Sequence, residues 1–516
     1  MRTLLFAFVL FSANSFCQTP DPTFGADANG TVLVNTGMGD AWLYALALQP
    51  DGRIIGAGSS YDGTGSVLIM RFTSAGELDA TFGVGGIATI PPAIDLADAL
   101  AVAVQADGKI VVAGTNDVNG VAGGAIWRLN ANGSLDEGFA SGGVYSSAVP
   151  SGSGTLTGLL LQPDGKVVAC GWFRSVGGLH ALHVLRLTTN GTLDDTFNGT
   201  GNQTLDASAT GDAYNAYALA LQADGKVLVA GNVTEGGGSF VPDALCFRLT
   251  SAGAMDASFG TNGMSIPHAV SYDHVYALAV QPDGRIILGG LTTLVAERNA
   301  LIVRLLADGS LDPAFGTVPG VWNVTPGPTT DSIEGIAVRN DGTYIVCGTS
   351  TPESSTTAVG FIGALNASDA TPMTAFGSNG QYPVDFDYNT QVSAELLQPD
   401  GKLLVVGRSK FAADTSEALV GRYDVSVAVG IAPAAARSTI YIAPNPAHDL
   451  IAVTIPSELG TRGTLRIVDA TGRTVLGTLT ITPGRLSLPV VALAHGLYNV
   501  EIVLGDHYSA ARFLKE

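Results

Sequence analysis

The 516-residue sequence is poor in charged residues, and basic ones are the scarcest. Charged side chains make up 14% of the chain, and 25 Lys and Arg stand against 45 Asp and Glu, for a formal net charge of −20. Nucleic acids and anionic lipids are bound by clustered Lys and Arg, so this deficit argues against both as partners. Four cysteines are too few for a fold of this length to depend on disulfide bonds. Those beyond Cys17 are expected to be buried thiols: Cys170, Cys246 and Cys347.

Long apolar runs and familiar catalytic motifs are also missing. A basic start, the eight apolar residues Leu4–Phe11 and small residues after them predict a signal peptide over 1–17. No segment reaches the roughly 18 apolar residues of a membrane-spanning helix. The chain has no HExxH motif, no GxSxG turn before a helix and no phosphate-binding GKS/T loop. No catalytic, cofactor-binding or metal-binding residue follows from a motif.

What the chain does contain is a repeat of 56 to 60 residues. The tetrapeptide QPDG, or a variant of it, ends at Gly52, Gly108, Gly165, Gly225, Gly284, Gly342 and Gly401. A second marker, Asp-x-x-Phe-Gly or a variant, has its phenylalanine at Phe24, Phe82, Phe139, Phe197, Phe259, Phe315 and Phe376. Regular spacing of this kind predicts an array of similar structural units.

Each unit contains the pattern of four short strands. In the first repeat they are predicted at Tyr44–Leu48, Arg53–Gly58, Val67–Thr73 and Gly86–Ile90, because apolar alternation is bounded there by Gly, Pro and Asp. Four strands in each of seven units predict an all-β fold, a seven-bladed β-propeller over residues 18–431.

The ends of the repeat region favour a closed ring over an open solenoid. The chain begins with the last part of a unit, around Phe24, and the seventh unit lacks that part. The N-terminal strand is therefore expected to complete the last blade. A solenoid would need polar caps at its ends instead.

An arginine recurs on the predicted third strand of nearly every unit. It is found at Arg71, Arg128, Arg186, Arg248, Arg304 and Arg422, whereas the sixth unit has Ala364. The expected partner is the aspartate of Asp-x-x-Phe. A single active site would not be repeated six times, so the Arg–Asp pair is interpreted as a structural feature of the repeat.

These units resemble the bacterial delta-60 repeat, a family of exported propeller-like repeats without assigned biochemistry. The strings LALQPDGRIIGAG and RFTSAGELDATFG, and their counterparts along the chain, carry the resemblance over residues 20 to 426. It implies the propeller architecture and names no ligand.

A different pattern follows a short linker at 432–439. Strands separated by turns over 440–516 predict a small Ig-like β-sandwich. The strings PNPA, VDATGR and GLYNVEI and the basic tail resemble the type A C-terminal sorting domain of the type IX secretion system of Bacteroidetes. The resemblance implies contact with that machinery and a secreted or cell-surface location. An ordinary adhesive Ig-like module is the alternative.

Candidate ligand-binding residues lie ahead of the innermost strands, on the face where loops differ between repeats. Six units carry an aspartate there: Asp40, Asp98, Asp212, Asp273, Asp331 and Asp387. Nearby aromatic residues are Trp42, Tyr61, Trp172, Tyr214, Tyr272 and Tyr388. Carboxylates beside aromatic rings suit a sugar or a cation such as calcium, while polar residues that cap turns are the simpler interpretation. A ring of these aspartates at the channel mouth is the prediction.

The sequence favours an exported, monomeric binding or adhesion scaffold without enzymatic activity or a resident cofactor. Its variable face would present a glycan- or protein-binding surface. Two alternatives stay open at this point. One is a loop-built polysaccharide lyase or hydrolase, and the other is a passive structural surface protein.

Overall fold

The computed structural model describes most of the chain in two compact units, which divide between Val427 and Ala428. The described residues are 19–515 without 28, 92–95, 119–120, 148–152, 175–179, 206–211, 237–240, 269–271, 295–296, 317, 325–328, 353–356, 375, 378–379, 385–388, 411–414, 426–440, 444–446, 456–462, 470–473, 483 and 505–506. The predicted signal peptide and linker lie outside them. No helix long and apolar enough to span a membrane occurs in the part that the structure describes.

Seven antiparallel sheets make up the described part of the first unit, and we number them as blades 1 to 7. Blade 1 consists of β3 (Asp40–Leu48), β4 (Ile54–Tyr61), β5 (Gly65–Phe72) and β6 (Ile87–Ile90). Blade 2 consists of β7 (Ala97–Val104), β8 (Ile110–Val118), β9 (Val121–Leu129) and β10 (Val144–Ser146). Blade 3 consists of β11 (Gly154–Leu161), β12 (Val167–Arg174), β13 (His180–Leu187) and β14 (Asn202–Leu205).

The next three blades repeat this order of strands. Blade 4 consists of β15 (Ala213–Leu221), β16 (Val227–Thr234), β17 (Pro242–Leu249) and β18 (Met264–Ser265). Blade 5 consists of β19 (Asp273–Val280), β20 (Ile286–Leu294), β21 (Glu297–Leu305) and β22 (Val321–Val324). Blade 6 consists of β23 (Thr329–Val338), β24 (Tyr344–Pro352), β25 (Val359–Leu365) and β26 (Gln381–Val384).

Blade 7 is completed by the N-terminal segment. Its own strands are β27 (Asn389–Leu397), β28 (Lys402–Lys410) and β29 (Ser416–Asp424), and β29 also pairs with β1 (Thr19–Pro20) and β2 (Thr31–Val34). The inner strand β27 lies against β3, and the other inner strands touch one another in chain order. The predicted all-β propeller, closed by an N-terminal strand, is therefore confirmed.

The QPDG tetrapeptide forms the turn between the first and second strands. In blade 1 the amide of Gly52 donates to the carbonyl of Gln49 at 2.9 Å, and the amide of Arg53 donates to the Asp51 carboxylate at 3.1 Å. Gly52 has a φ of +84°, a conformation that costs little only for glycine. The turn thus returns the chain antiparallel and leaves the inner strand at the centre of the ring.

The recurring arginine pairs with the aspartate of Asp-x-x-Phe, as the sequence predicts, and in six blades it also bonds to the next blade. In blade 3, Arg186 Nε donates to Asp194 Oδ2 at 2.7 Å, and Nη1 donates to the Ser251 carbonyl of blade 4 at 2.8 Å. Its guanidinium also covers the Phe197 ring at 4.7 Å. We call this arrangement the arginine clamp. The ion pairs are Arg71–Asp79, Arg128–Asp136, Arg186–Asp194, Arg248–Asp256, Arg304–Asp312 and Arg422–Asp21.

Blade 6 replaces the clamp with another arginine. Its third strand has Ala364, but Arg339 stands where the other repeats have glutamine. Arg339 Nη1 donates to the carbonyl of Val425. In blade 7, Val425 follows Arg422 by three residues, as Ser251 follows Arg248 in blade 4. The carbonyl that is clamped is therefore the same, and only the origin of the arginine differs.

The three cysteines are free and buried, as expected. Cys170 pairs across the strands with Gly158, and Cys347 pairs with Gly335. A Cβ at either glycine would lie 2.8 Å from the cysteine Sγ, so the missing side chain makes room for the larger thiol. Burial raises the pKa of Cys170 to about 12, which leaves the thiol unreactive.

The second unit is the predicted small β-sandwich. One sheet consists of β30 (Tyr441–Ala443), β31 (Leu450–Ile455) and β34 (Gly484–Pro489). The other consists of β32 (Gly463–Asp469), β33 (Thr474–Ile481), β35 (Gly496–Leu504) and β36 (His507–Lys515). Ile451, Leu465, Val500 and Phe513 are buried in its core.

Candidate functional site

A central cavity of about 590 Å³ is lined by the inner strands of the propeller. Its size lies within the range of about 300–1,000 Å³ that is usual for small-ligand sites. Each blade contributes the residue that stands eight positions before its turn glycine. We call these residues the channel ring: Tyr44, Leu100, Thr157, Tyr217, Tyr276, Glu334 and Ser393.

The channel ring is produced by a bulge in every inner strand. In blade 1, the pairing of β3 with β4 shifts between Leu43 and Ala45, so Tyr44 is the extra residue. Gly58 on β4 permits this, because a Cβ there would lie 1.8 Å from the carbonyl oxygen of Trp42. The glycines at the same place in the other blades are Gly114, Gly171, Gly231, Gly290, Gly348 and Gly407.

Blade 5 presents a row of rings from the mouth of the channel into the cavity. The centroids of Tyr272 and His274 are 5.3 Å apart, and those of His274 and Tyr276 are 6.0 Å apart. Tyr276 then meets Tyr217 of blade 4 edge-on at 5.5 Å. Burial, aided by the charge of Arg298, lowers the pKa of His274, so its ring is neutral at pH 7.

Trp42 of blade 1 is held in place by residues of blade 7. Arg408 lies 3.6 Å from the centroid of the Trp42 ring and donates from Nε to Gln391 at 3.0 Å. Trp42 Nε1 donates to Ser393 Oγ at 2.8 Å. The indole therefore already has a cation on its face and a partner for its N–H.

A glutamate of blade 7 is buried beside the cavity. Glu395 stands where the other inner strands have Leu46, Val102, Leu159, Leu219, Leu278 and Ile336. Its side chain occupies the space left by Gly335, where a Cβ would lie 2.8 Å from Cγ. Burial raises the pKa of Glu395 to about 8, against smaller opposing effects of the Cys347 thiol and the Ala337 backbone. At neutral pH this acid is therefore largely protonated.

Two further carboxyl groups at the channel have raised pKa values for the same reason. Burial raises the pKa of Glu334, although Ser332 Oγ donates to it at 2.7 Å. Burial likewise raises the pKa of Asp98, which the Ser59 hydroxyl opposes. The lining of the channel is therefore less negative than its composition implies.

The predicted aspartates do not form one ring. Asp98 stands 10 residues before its turn glycine, Asp273 and Asp331 stand 11 before theirs, Asp40 stands 12 before and Asp212 stands 13 before. Successive side chains of a strand point to opposite faces, so these positions cannot all face the channel. Asp273 and Asp331 are 0% and 1% exposed. Asp387 and Tyr388 lie outside the described residues.

The aspartates nearer the surface hold loop segments in place. The amide of Ser416 in blade 7 donates to Asp40 of blade 1. Asp212 accepts from the Tyr214 hydroxyl at 3.1 Å and from the Gly236 amide at 2.6 Å. A role for them in ligand binding stays a prediction.

The predicted aromatic residues differ in how open they are. Trp172 stacks on His180 at 4.3 Å with 7° between the planes, so one of its faces is covered. Tyr214 is half-buried, whereas 40% of Tyr272 and 55% of Tyr61 are exposed. Of these residues, Tyr272 alone belongs to the row that enters the channel.

The described residues contain no cluster of three His, Cys, Asp or Glu that could hold a metal ion. His180 and His183 contact different partners, Asn215 and Asn202, as their spacing on a strand predicts. Calcium binding by the aspartates stays a prediction.

Sequence reasoning missed the channel ring and Glu395. The sequence carries a signal for them, because the register can be counted back from each turn glycine. Eight positions before it the residue changes in nearly every repeat, whereas seven positions before it is always alanine or glycine.

Two family models match separate parts of the chain. Residues 49–82, 105–139, 162–197, 222–259 and 281–315 match a beta-propeller domain of unknown function, DUF5122. Residues 440–516 match a secretion system C-terminal sorting domain. No curated protein matches the sequence.

Several solved structures match the chain at low identity. PorZ, an essential surface component of the type IX secretion system of Porphyromonas gingivalis, is 13% identical with a TM-score of 0.41. The match covers 92% of this chain and 59% of PorZ, so the chain spans little more than half of that protein. The polysaccharide lyase Uly1 is 11% identical with a TM-score of 0.43, covering 74% of this chain and 89% of the lyase. A glucose dehydrogenase is 12% identical with a TM-score of 0.38, covering 76% and 99%. Similarity at this level carries no inference about activity.

Proposed function

We propose that the protein acts, secreted or at the cell surface, as a binding scaffold without enzymatic activity. Five of its repeats match the DUF5122 propeller domain and residues 440–516 match a secretion sorting domain, which supports this location. The propeller binds a glycan or protein ligand, as a monomer, at the mouth of its central channel. The sorting domain engages the secretion machinery and takes no part in ligand binding.

One observation carries this proposal: the repeats differ at the channel while they agree at the clamps. The arginine clamp recurs in six blades with the same residue types. The channel ring, at one register position, includes tyrosine, leucine, threonine, glutamate and serine. A purely structural ring has no need of such asymmetry, whereas a ligand with its own shape and polarity requires it.

An enzyme is the second candidate, and one observation favours it. Glu334 and Glu395 line the same cavity, and paired carboxyl groups perform acid–base chemistry in glycosidases. Such pairs work because the two pKa values are driven apart. Here burial raises the pKa of both groups in the same direction, so it does not give them the opposed pKa values of such a pair. The binding scaffold is therefore preferred.

The test is a glycan array with the purified exported chain, residues 18–516, run with calcium and with a chelator. We expect reproducible binding to a restricted set of glycans, with the bound glycans recovered intact by mass spectrometry. Shortened glycans would instead establish an enzyme. A blank array, together with no protein captured by cross-linking at the cell surface, would contradict the binding role and favour a passive structural one.

A further inference from the structure

Resting on the proposed binding function, we infer that the channel mouth at blade 5 binds an extended, uncharged oligosaccharide. Its contact surface is the row of rings Tyr272, His274 and Tyr276, with Tyr217 at the inner end. We call these four residues the aromatic track. The sugar chain lies along the track, and its end enters the central cavity.

The alternation of β19 builds the track. Asp273, Val275 and Ala277 point into the blade and are at most 6% exposed. The residues between them, His274 and Tyr276, point to the channel side and are half-buried. The steps of 5.3 Å and 6.0 Å between the ring centroids from Tyr272 to Tyr276 make the track long enough for more than one sugar ring.

The backbone at the outer end is held in an uncommon conformation. Tyr272 has a φ of +64°, which is rare for a bulky residue, and the amide of Thr293 donates to its carbonyl at 3.2 Å. Despite this cost, 40% of the side chain is exposed instead of being packed in the core. Backbone strain that is not offset by burial of the side chain is typical of residues at ligand-binding sites.

A buried polar atom in the track lacks a partner. His274 Nδ1 is inaccessible to solvent and has no hydrogen-bond partner among the described residues. An unpaired buried group of this kind costs roughly 1–3 kcal/mol, and a ligand hydroxyl recovers it only when the ring turns Nδ1 toward the channel. The neutral ring can donate or accept, so it suits a sugar hydroxyl.

The orientation of the rings favours a sugar chain over a cation. The rings of His274 and Tyr276 are stacked with 13° between their planes, and Tyr272 is tilted by 57° to His274, so the rings follow one another along the strand and do not surround a single point. Cation sites instead use rings that converge on a single point. The apolar C–H face of a pyranose packs on an aromatic face, because such faces attract weakly positive hydrogens.

The net charge of the chain disfavours acidic glycans. Glu334 and Glu395 line the cavity at the inner end, and the whole chain has a net charge of −20. The residues that line the cavity include no lysine or arginine to pair with a uronate or sulfate, whereas the charge of Arg298 acts on His274 and Tyr276 from outside that lining. A neutral ligand can use the two glutamates as hydrogen-bond partners.

The experiment measures binding of hexasaccharides to the exported chain, residues 18–516, by calorimetry. The neutral panel is cellohexaose, mannohexaose, xylohexaose, maltohexaose and chitohexaose, while hexagalacturonate and a chitosan hexamer represent anionic and cationic chains. We expect at least one neutral hexamer to bind, more tightly than its trimer, and hexagalacturonate not to bind.

The variants Tyr272→Ala and Tyr276→Ala are expected to weaken that binding about tenfold each, with circular dichroism unchanged. Tyr61→Ala is the matched control, because Tyr61 is exposed at the end of β4 on the same side of the propeller but outside the track. It should bind as the wild type does.

The outcomes separate this inference from the function on which it rests. Wild-type binding that both tyrosine variants retain would overturn the track while leaving a binding scaffold intact. Binding of the cationic or anionic hexamer alone would overturn the ligand class. No binding of any hexamer would overturn the inference, and the proposed function would then depend on protein capture.

Discussion

At the scale of single residues, the arginine clamp and the aspartates ahead of the inner strands differ in how regularly they are placed within the repeat. The arginine clamp repeats with its aspartate, so the pattern itself identifies the pair. The aspartates ahead of the inner strands occur in six repeats too, but at different distances from the turn glycine. One step along a strand reverses the face, and therefore Asp273 and Asp331 are buried inside their blades.

Glu395 provides a test at this scale. Its pKa is raised from an ordinary 4.5 to about 8 in the folded protein, so the folded state keeps a proton that the unfolded state loses. The contribution of this group to stability is therefore full below pH 4.5 and is lost as pH rises to about 8. Glu395→Gln should remove this loss and raise the free energy of unfolding at pH 8, relative to wild type, by about 2–4 kcal/mol.

Urea unfolding of both proteins at pH 4.5, 6 and 8 measures the effect. The two curves of stability against pH should diverge steadily above pH 4.5. Asp164→Asn is the control, because Asp164 is more than half exposed and lies on a turn of blade 3. A constant difference between Glu395→Gln and wild type across the pH range would contradict the assignment.

At the scale of elements, each blade depends on a neighbour through one arginine. The strands were predictable because alternation, turn residues and period agree in every repeat. The bulge was not predictable, because it depends on a close contact between the backbones of two strands. Gly58 must lack a Cβ, since the Trp42 carbonyl oxygen occupies that position. A glycine on the second strand does not by itself predict a bulge, because the bulge depends on how closely the paired strand approaches it.

Arg339 tests whether the clamp of blade 6 has been relocated. The other six repeats have glutamine at this position, so a consensus argument predicts that Arg339→Gln stabilises the protein. We predict the opposite, a loss of about 1–2 kcal/mol, because the Val425 carbonyl loses its charged donor. Adding Ala364→Arg with Met373→Asp should restore stability by rebuilding the standard clamp.

Chemical denaturation measures these variants, with Arg53→Gln as the control. Arg53 has a side chain that is 41% exposed and pairs with Asp51 and Asp79, so its loss should cost below about 1 kcal/mol. An Arg339→Gln protein as stable as wild type would mean that the seam between blades 6 and 7 needs no clamp.

At the scale of the whole molecule, the ring is closed by a contact between distant parts of the chain. Within blade 3, the clamp joins Arg186 and Asp194, which are 8 residues apart. In blade 7 the same clamp joins Arg422 and Asp21, which are 401 residues apart. The N-terminal strand can therefore detach without unfolding its neighbours, whereas the outer part of blade 3 is continuous with the rest of that blade.

Two matched variants expose this difference. Asp21→Asn should raise hydrogen exchange of the β29 amides and promote dimers, because detachment of β2 leaves a free strand edge. Asp194→Asn removes the same interaction from blade 3 and should leave exchange in β13 close to wild type. Exchange mass spectrometry and light scattering measure both. Equal protection of β29 and β13 in the two variants would contradict a detachable closing strand.

Because the N-terminal strands pair with β29, the propeller can close only after its seventh repeat has been made. The two strands that are made first, β1 and β2, pair only with β29, where Thr31 lies opposite Gly421. A chain that ends before Ser416 lacks β29, so its N-terminal strands have no partner and two strand edges stay exposed. Only a chain that has been made to its seventh repeat can hide them, so proteases and chaperones that recognise bare strands can distinguish finished molecules from fragments.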